Sequence, residues 1–330
     1  MNIVVIGLGS MGKRRIRLIQ ELYPDFILCG VDDREDRRRE TFEKLNIPCM
    51  ESIGCVREAF DINMAFVCTA PLSHSQIITE CLLNKWDVFT ELNLVVDGYQ
   101  ANMDLARENG CKLFLSSTFL YREEIRYIRS KVNSRQRWNY IYHIGQYLPD
   151  WHPWEKYNEF FAGDRRTNGC REIMAIELPW IVNTFGKVVN THVIADKMTG
   201  LKIDYFDNYL IQMEHANGNK GILIVDIVSP VAVRKLEIYA EHQYISWSGT
   251  GDSLYEYSED TDSLEQVKML ETLEHTDGYR AFVAENAYKN EIIEFMDVVS
   301  KNKKPQYGFQ QDLEILQLID ALEGQWCQNH

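Results

Sequence analysis

The chain has 330 residues, 45% hydrophobic and 25% charged, which suits two cores better than one, since single cores rarely grow past about 250–300 residues. Its 35 lysines and arginines against 49 acids leave a net charge of −14, a surplus of carboxylates that argues against nucleic acid or an anionic membrane surface as partner. No apolar run approaches the roughly 20 residues needed to cross a bilayer, and the strand that begins at once leaves no room for a signal peptide. The eight cysteines form no Cys-x-x-Cys pair; free thiols in a reducing, cytoplasmic setting are expected rather than disulfides or metal.

In chain order, Asn2 to Gly7 is a short apolar run rich in β-branched residues, the pattern of a strand buried on both faces. A helix follows from Met11 to Leu22, ended by Tyr23-Pro24-Asp25. Strands at Phe26–Val31, Met64–Thr69, Lys85–Thr90 and Cys111–Leu115 alternate with helices at Arg34–Leu45, Ser73–Asn84 and Tyr99–Asn109. Regular alternation of this kind predicts a doubly wound parallel sheet of Rossmann type over residues 1–119.

The alternation stops there. A helix at Tyr121–Lys131 leads into strands at Trp138–Gln146, Val188–Asp196, Tyr205–Glu214, Gly221–Ser229, Arg234–Ala240 and Tyr244–Ser248, interrupted by a helix at Arg171–Phe185. Turn signals such as Ala216-Asn217-Gly218-Asn219 mark hairpins. The acidic stretch Glu256–Glu274 reads as an exposed excursion. Amphipathic helices at Asn286–Ser300 and Phe309–Trp326 close the chain. Residues 120–330 are therefore expected to form an α+β domain on a large, mostly antiparallel sheet.

Gly7-Leu8-Gly9-Ser10-Met11-Gly12 is a Gly-x-Gly-x-x-Gly placed between a strand and a helix, the context in which that pattern marks a dinucleotide site. Gly7 permits the tight turn, Gly9 admits a pyrophosphate to the backbone, and Gly12 lets helix and strand pack closely. The helix N-terminus adds free N–H groups and a partial positive charge. Asp32 and Asp33 lie 20 and 21 positions past Gly12 at the end of the second strand, so one of them is expected at the adenosine ribose. A carboxylate there favours NAD over NADP, while the neighbouring Arg34 leaves NADP possible. Thr69, Ala70 and Pro71, with His74, end a central strand where a doubly wound sheet puts its ligand, and are expected to run along the cofactor.

Together these features resemble the glucose–fructose oxidoreductase/inositol dehydrogenase/MocA family. The similarity takes in Ile6–Gly12, the Thr69-Ala70-Pro71-x-x-His74 segment, the stretch Tyr147-Leu148-Pro149-Asp150-Trp151-His152-Pro153-Trp154, and Asn290–Phe295 with the last helix. It implies NAD(P)-dependent redox chemistry on a sugar, polyol or sugar nucleotide. It also implies homodimers or homotetramers formed through the C-terminal sheet.

The family's catalytic pattern is incomplete here. Its Glu-Lys-Pro corresponds to Glu91-Leu92-Asn93, which keeps the glutamate, expected on the cofactor side, and loses the lysine. Its Asp, His and Asp on a helix fall, anchored on Phe185-Gly186, at Glu172, Ile176 and Pro179. One carboxylate remains of the usual proton-transfer set, and a positioned acid or base is worth about 10²–10⁴-fold in rate. Candidates to take its place are Tyr121, His152, Arg171, Glu172 and Glu177. Two functions stand side by side: an oxidoreductase with an altered proton carrier, or a cofactor-binding member without turnover. No metal site is expected, because the histidines do not cluster at ligand spacings.

Overall fold

The computed structural model describes residues 1–132, 135–152, 155–269 and 285–329, the side chains of 326–329 excepted. Trp154 and the part of the acidic stretch beyond residue 269 lie outside the described residues. The chain forms two compact units, Met1–Ser117 with Tyr288–Glu314, and Thr118–Ala287 with Ile315–His330.

In the first unit β1 (Asn2–Ile6), β2 (Ile27–Val31), β3 (Cys49–Met50), β4 (Met64–Val67), β5 (Asp87–Thr90) and β6 (Leu113–Leu115) alternate with α1 (Ser10–Leu22), α2 (Glu35–Leu45), α3 (Ile53–Ala59), α4 (Pro71–Leu83) and α5 (Tyr99–Asn109). The strands pair in the order β3-β2-β1-β4-β5-β6, every pair parallel. A parallel sheet covered on both faces buries its strands completely, as in β4, where all four residues are buried. β3 and α3 are additions to the expected elements. A two-residue strand carries no periodicity, and the seven-residue α3 is announced only by Ser52, whose side chain caps the amide of Cys55.

The second unit begins with α6 (Glu123–Lys131), β7 (Asn139–Gly145) and α7 (Gly169–Phe185). It continues through β8 (Val188–Asp196), β9 (Asn208–His215), β10 (Lys220–Asp226), β11 (Val233–Ala240), β12 (Gln243–Trp247), β13 (Tyr255–Ser258) and β14 (Ser263–Gln266). These strands form one sheet, β14-β13-β12-β11-β7-β10-β9-β8. It is antiparallel except where β10 lies parallel to β7. Strict alternation along β9 buries Tyr209, Ile211 and Met213 and exposes Leu210, Gln212 and Glu214, the signature of a sheet covered on one face. The covering helix is α7: Trp180 meets Tyr142 edge-on at 5.5 Å, and Phe185 packs on Tyr140 at 4.3 Å. The start of the acidic stretch is exposed, as in β14, where all four residues face solvent, but it is ordered: β13 and β14 extend the sheet as a hairpin.

The chain ends with α8 (Glu285–Lys301) and α9 (Phe309–Asn329). From Tyr288 onward α8 belongs to the Rossmann unit, and the reason is aromatic. Phe66, Phe89 and Phe114 sit in register on β4, β5 and β6 and stack at 4.7 and 5.2 Å. Phe295 of α8 closes over all three at 5.4–5.6 Å. Among the described residues no helix is long and apolar enough to cross a membrane.

Candidate cofactor and catalytic sites

The strand order of the first unit reverses between β1 and β4, and a doubly wound sheet binds ligands outside the strand ends at such a point. Gly7 stands there with φ +92°, and a Cβ on it would lie 2.7 Å from the carbonyl carbon and oxygen of Cys68. A Cβ on Gly12 would lie 1.9 Å from the Gly7 oxygen, so both positions require glycine. Around Gly9 the space is open: a Cβ would meet nothing nearer than the Arg37 Nη1 at 4.0 Å. Gly9 precedes α1 without a capping side chain. An open backbone ahead of a helix N-terminus fits the pyrophosphate of a dinucleotide.

Asp32 and Asp33 divide their work. Asp32 is buried, its Oδ2 accepting from the amide of Leu8 at 2.8 Å and its Oδ1 from that of Arg34 at 3.0 Å. Its carboxylate thereby fixes the glycine loop against the end of β2. Asp33 is exposed. The Arg34 guanidinium turns outward onto Asp36 through two hydrogen bonds, at 3.1 and 2.6 Å.

After β4, Thr69, Ala70 and Pro71 lead into α4, whose first turn carries His74. The imidazole is 2% exposed, with Nε2 2.9 Å from the Thr69 oxygen and Nδ1 2.6 Å from Asn93 Oδ1. It supports the turn from inside. Glu91, directly after β5, accepts two hydrogen bonds from Arg15 of α1, at 2.6 and 3.2 Å. Arg15 is fully buried and also reaches Glu291 of α8 at 2.7 Å. Glu291 in turn accepts from the amide of Ser117 and the hydroxyl of Ser116. Burial alone would lower the pKa of Arg15, but the two carboxylates outweigh it and raise it above the ordinary value. Burial pushes the Glu291 carboxyl up. Arg15 and Glu291 were not among the sequence candidates. The only signal for the second was the Asn290-Glu291 pair in the closing segment.

The catalytic candidates all belong to the second unit, where they have different surroundings. Tyr121 is buried in the 3₁₀ turn Thr118–Tyr121. His152 is partly exposed, held by Glu155 at 2.6 Å, with its ring on Phe160 at 4.5 Å. Arg171 is buried and bonded to Glu323 at 2.5 Å and Asp320 at 2.6 Å, so its charge is matched within the unit. Glu177 is fully buried and accepts from Tyr142 at 2.8 Å and Trp180 at 2.7 Å, with Arg234 at 2.9 Å. Glu172 is the exception. It lies in the first turn of α7, its Oε2 is enclosed without a hydrogen-bond partner, and burial raises its pKa from 4.5 to about 7. Among the described residues no group of His, Cys, Asp and Glu is arranged to hold a metal ion.

A glycine turn at the switch point, an acid at the end of β2 and a parallel β3-β2-β1-β4-β5-β6 sheet define an NAD-binding Rossmann domain. Residues 1–117 match the family model GFO_IDH_MocA, described as "Oxidoreductase family, NAD-binding Rossmann fold". No curated protein sequence matches it. Solved structures share the fold along the whole chain at low identity. A putative NADPH-dependent oxidoreductase from Desulfitobacterium hafniense is 12% identical with a TM-score of 0.83, covering 100% of this chain and 96% of that one. Levoglucosan dehydrogenase, in complex with NADH and L-sorbose, is 11% identical with a TM-score of 0.79, covering 98% and 95%. UDP-N-acetylglucosamine 3-dehydrogenase from Acidithiobacillus ferrooxidans is 14% identical with a TM-score of 0.74, covering 98% and 96%.

Proposed function

We propose that this chain is an NAD(P)-dependent oxidoreductase acting on a sugar, polyol or sugar-nucleotide-like substrate, with Glu172 as its proton carrier. The observation that carries the reading is the enclosed, unpartnered Oε2 of Glu172 and its pKa of about 7. A general base works best when its pKa lies near the operating pH. A bound nicotinamide would take the hydride in oxidation and give it back in reduction. In the oxidising direction the substrate hydroxyl gives its proton to the Glu172 carboxylate as the carbonyl forms; in the reducing direction the protonated carboxyl returns it. Gly7, Leu8, Gly9, Ser10, Met11 and Gly12 hold the pyrophosphate, Asp32 serves the adenosine ribose, and Thr69, Ala70 and Pro71 line the cofactor. The sugar class is supported by two of the fold neighbours, a levoglucosan dehydrogenase and a UDP-N-acetylglucosamine 3-dehydrogenase.

The test is calorimetric titration with NAD, NADH, NADP and NADPH, followed by turnover on a sugar and sugar-nucleotide panel. Glu172→Gln is expected to lower kcat by about 10²–10⁴-fold while leaving cofactor affinity in place. Oxidation needs the ionised carboxylate, so kcat/KM should rise with pH to about 7 and level off. A Glu172→Gln variant with full turnover and the same pH profile would remove Glu172 from the mechanism.

A second reading, cofactor binding without turnover, draws on Leu92, Ile176 and Pro179, which place no protic side chain at three positions of the family pattern. Tight cofactor binding with no hydride exchange on any substrate would favour it. The outer face of the large sheet is proposed to join copies of this chain into a homodimer or homotetramer. Its support is a set of exposed apolar residues on that face, including Ile194, Leu210, Ile222 and Ile141.

A further inference from the structure

In a chain of net charge −14, residues 32–39 are four acids and four arginines in a row, Asp32-Asp33-Arg34-Glu35-Asp36-Arg37-Arg38-Arg39. The segment runs from the end of β2 into α2. A dinucleotide that reaches it brings one variable group, the 2′-position of its adenosine ribose, which is a hydroxyl in NAD and a phosphate in NADP. By sequence Arg34 is the nearest candidate for that phosphate. The structure gives the arginines different tasks.

Arg34 is committed outward. Its Nε and Nη2 donate to the two oxygens of Asp36 at 3.1 and 2.6 Å, the bidentate geometry in which a guanidinium and a carboxylate bind best. Arg38 is committed inward, its Nη1 donating to the carbonyls of Asp32 and Asp33, each at 2.8 Å. Arg39 is exposed. Lys13 of α1 ends on Glu40 at 2.7 Å. Arg37 is different. Its Nη1 lies 3.6 Å from Asp32 Oδ2, past hydrogen-bond reach. The same nitrogen is the atom that a Cβ on Gly9 would meet first, at 4.0 Å. One cationic nitrogen therefore stands between the acid assigned to the ribose and the glycine assigned to the pyrophosphate. The Arg37 side chain is 38% exposed, so its loose pair with Asp32 is worth little and is exchanged for a ligand at small cost. Asp32 does not depend on it, since its two oxygens already accept from the amides of Leu8 and Arg34.

We propose that Arg37 receives the adenosine 2′-phosphate, and that the site thereby binds NADP as well as NAD. This rests on the proposed reading of the first unit as a nicotinamide-dinucleotide site. With NAD, the 2′-hydroxyl donates to a remaining lone pair of the Asp32 carboxylate, and Arg37 keeps its place beside Oδ2. With NADP, the guanidinium turns from Asp32 to the phosphate and stands between two like charges. A carboxylate alone at this point selects against the phosphate, whereas a nearby arginine accommodates it. The planar fork of a guanidinium suits the task, because two of its N–H groups meet two phosphate oxygens at once.

The test is calorimetric titration of the full chain with NAD and with NADP, which reads binding and needs no turnover. The wild type is expected to bind both with affinities of the same order. Arg37→Gln should weaken NADP by roughly tenfold to a hundredfold, as for hydrogen bonds to a charged group, and NAD by less than about threefold. Arg37→Lys should recover part of the NADP loss. Arg39→Gln removes the same charge from the same helix and should leave both affinities in place. An equal loss of NAD and NADP in Arg37→Gln would assign Arg37 to the pyrophosphate that both share. Loss of NADP in Arg34→Gln, with none in Arg37→Gln, would return the phosphate to Arg34. Either result overturns the proposal, as does a wild type that binds NAD and not NADP. A chain that binds neither removes the dinucleotide reading and the proposal with it.

Discussion

Glu172 and Glu177 are both acids on the inner part of α7, five residues apart, and their fates show what a side chain's partners decide. Glu177 accepts from a phenol and an indole at one oxygen and has a guanidinium against the other. Glu172 has an enclosed oxygen with nothing to accept from, and burial therefore favours its protonated form. A carboxyl whose pKa is raised from 4.5 to about 7 by burial binds its proton more tightly in the folded than in the unfolded chain. Its contribution to stability is fully present below about 4.5 and is lost as pH rises through about 7. Glu172→Gln cannot ionise, so the stability of wild type minus variant should fall between those pH values and be flat above them. Urea unfolding midpoints across pH measure this. A flat difference throughout would place the carboxyl in water rather than inside the unit.

At the scale of elements, the first unit is held by one buried ionic triad as well as by its phenylalanine stack. Arg15 ties α1 to the end of β5 through Glu91 and to α8 through Glu291. Removing one partner from a buried set of charges typically costs about 3–5 kcal/mol, because the remaining charges stay buried without compensation. Arg15→Met is expected to destabilise the chain by that order in urea unfolding at neutral pH. The loss should shrink in acid, where Glu291, its pKa raised by burial, takes up a proton. A variant as stable as the wild type at pH 7 would mean the triad opens to water. This triad also marks where the sequence stops being legible. The glycine loop and the Rossmann alternation were readable because their signals are local: a turn that only glycine can make and strands buried on both faces. Nothing local sets Arg15 apart from Lys13, Arg14 and Arg17, since its partners lie 76 and 276 positions away. Arg171 stands among the catalytic candidates for the same reason, its two acids being about 150 positions downstream. The hydrogen bond of Asn93 to His74 depends on the turns after β4 and β5 lying side by side.

On the scale of the whole molecule, the second unit presents the feature most in need of a partner. The outer face of its sheet carries Ile194 opposite Leu210, Leu210 opposite Ile224, and Ile222 opposite Ile141. Ile194, Leu210, Ile222 and Ile141 are between 37% and 51% exposed. Single exposed apolar residues need no explanation, but apolar pairs in two adjoining registers across four strands form a contiguous patch of the sort that marks an association surface. A flat sheet face can pair with its own copy about a two-fold axis, each strand set meeting its equivalent. The net charge of −14 opposes random association, so only a surface with enough apolar area should bring copies together. The wild type is accordingly expected to sediment as a dimer or tetramer of the 38.6 kDa chain. The double variant Ile194→Asp/Leu210→Asp should sediment as a monomer, since each copy would bring two unpaired carboxylates into the contact. Its NAD affinity should stay at the wild-type value, because the glycine loop, Asp32 and His74 all belong to the other unit. Sedimentation velocity decides the point: a monomeric wild type, or a double variant that keeps its oligomeric state, would assign the patch some other role.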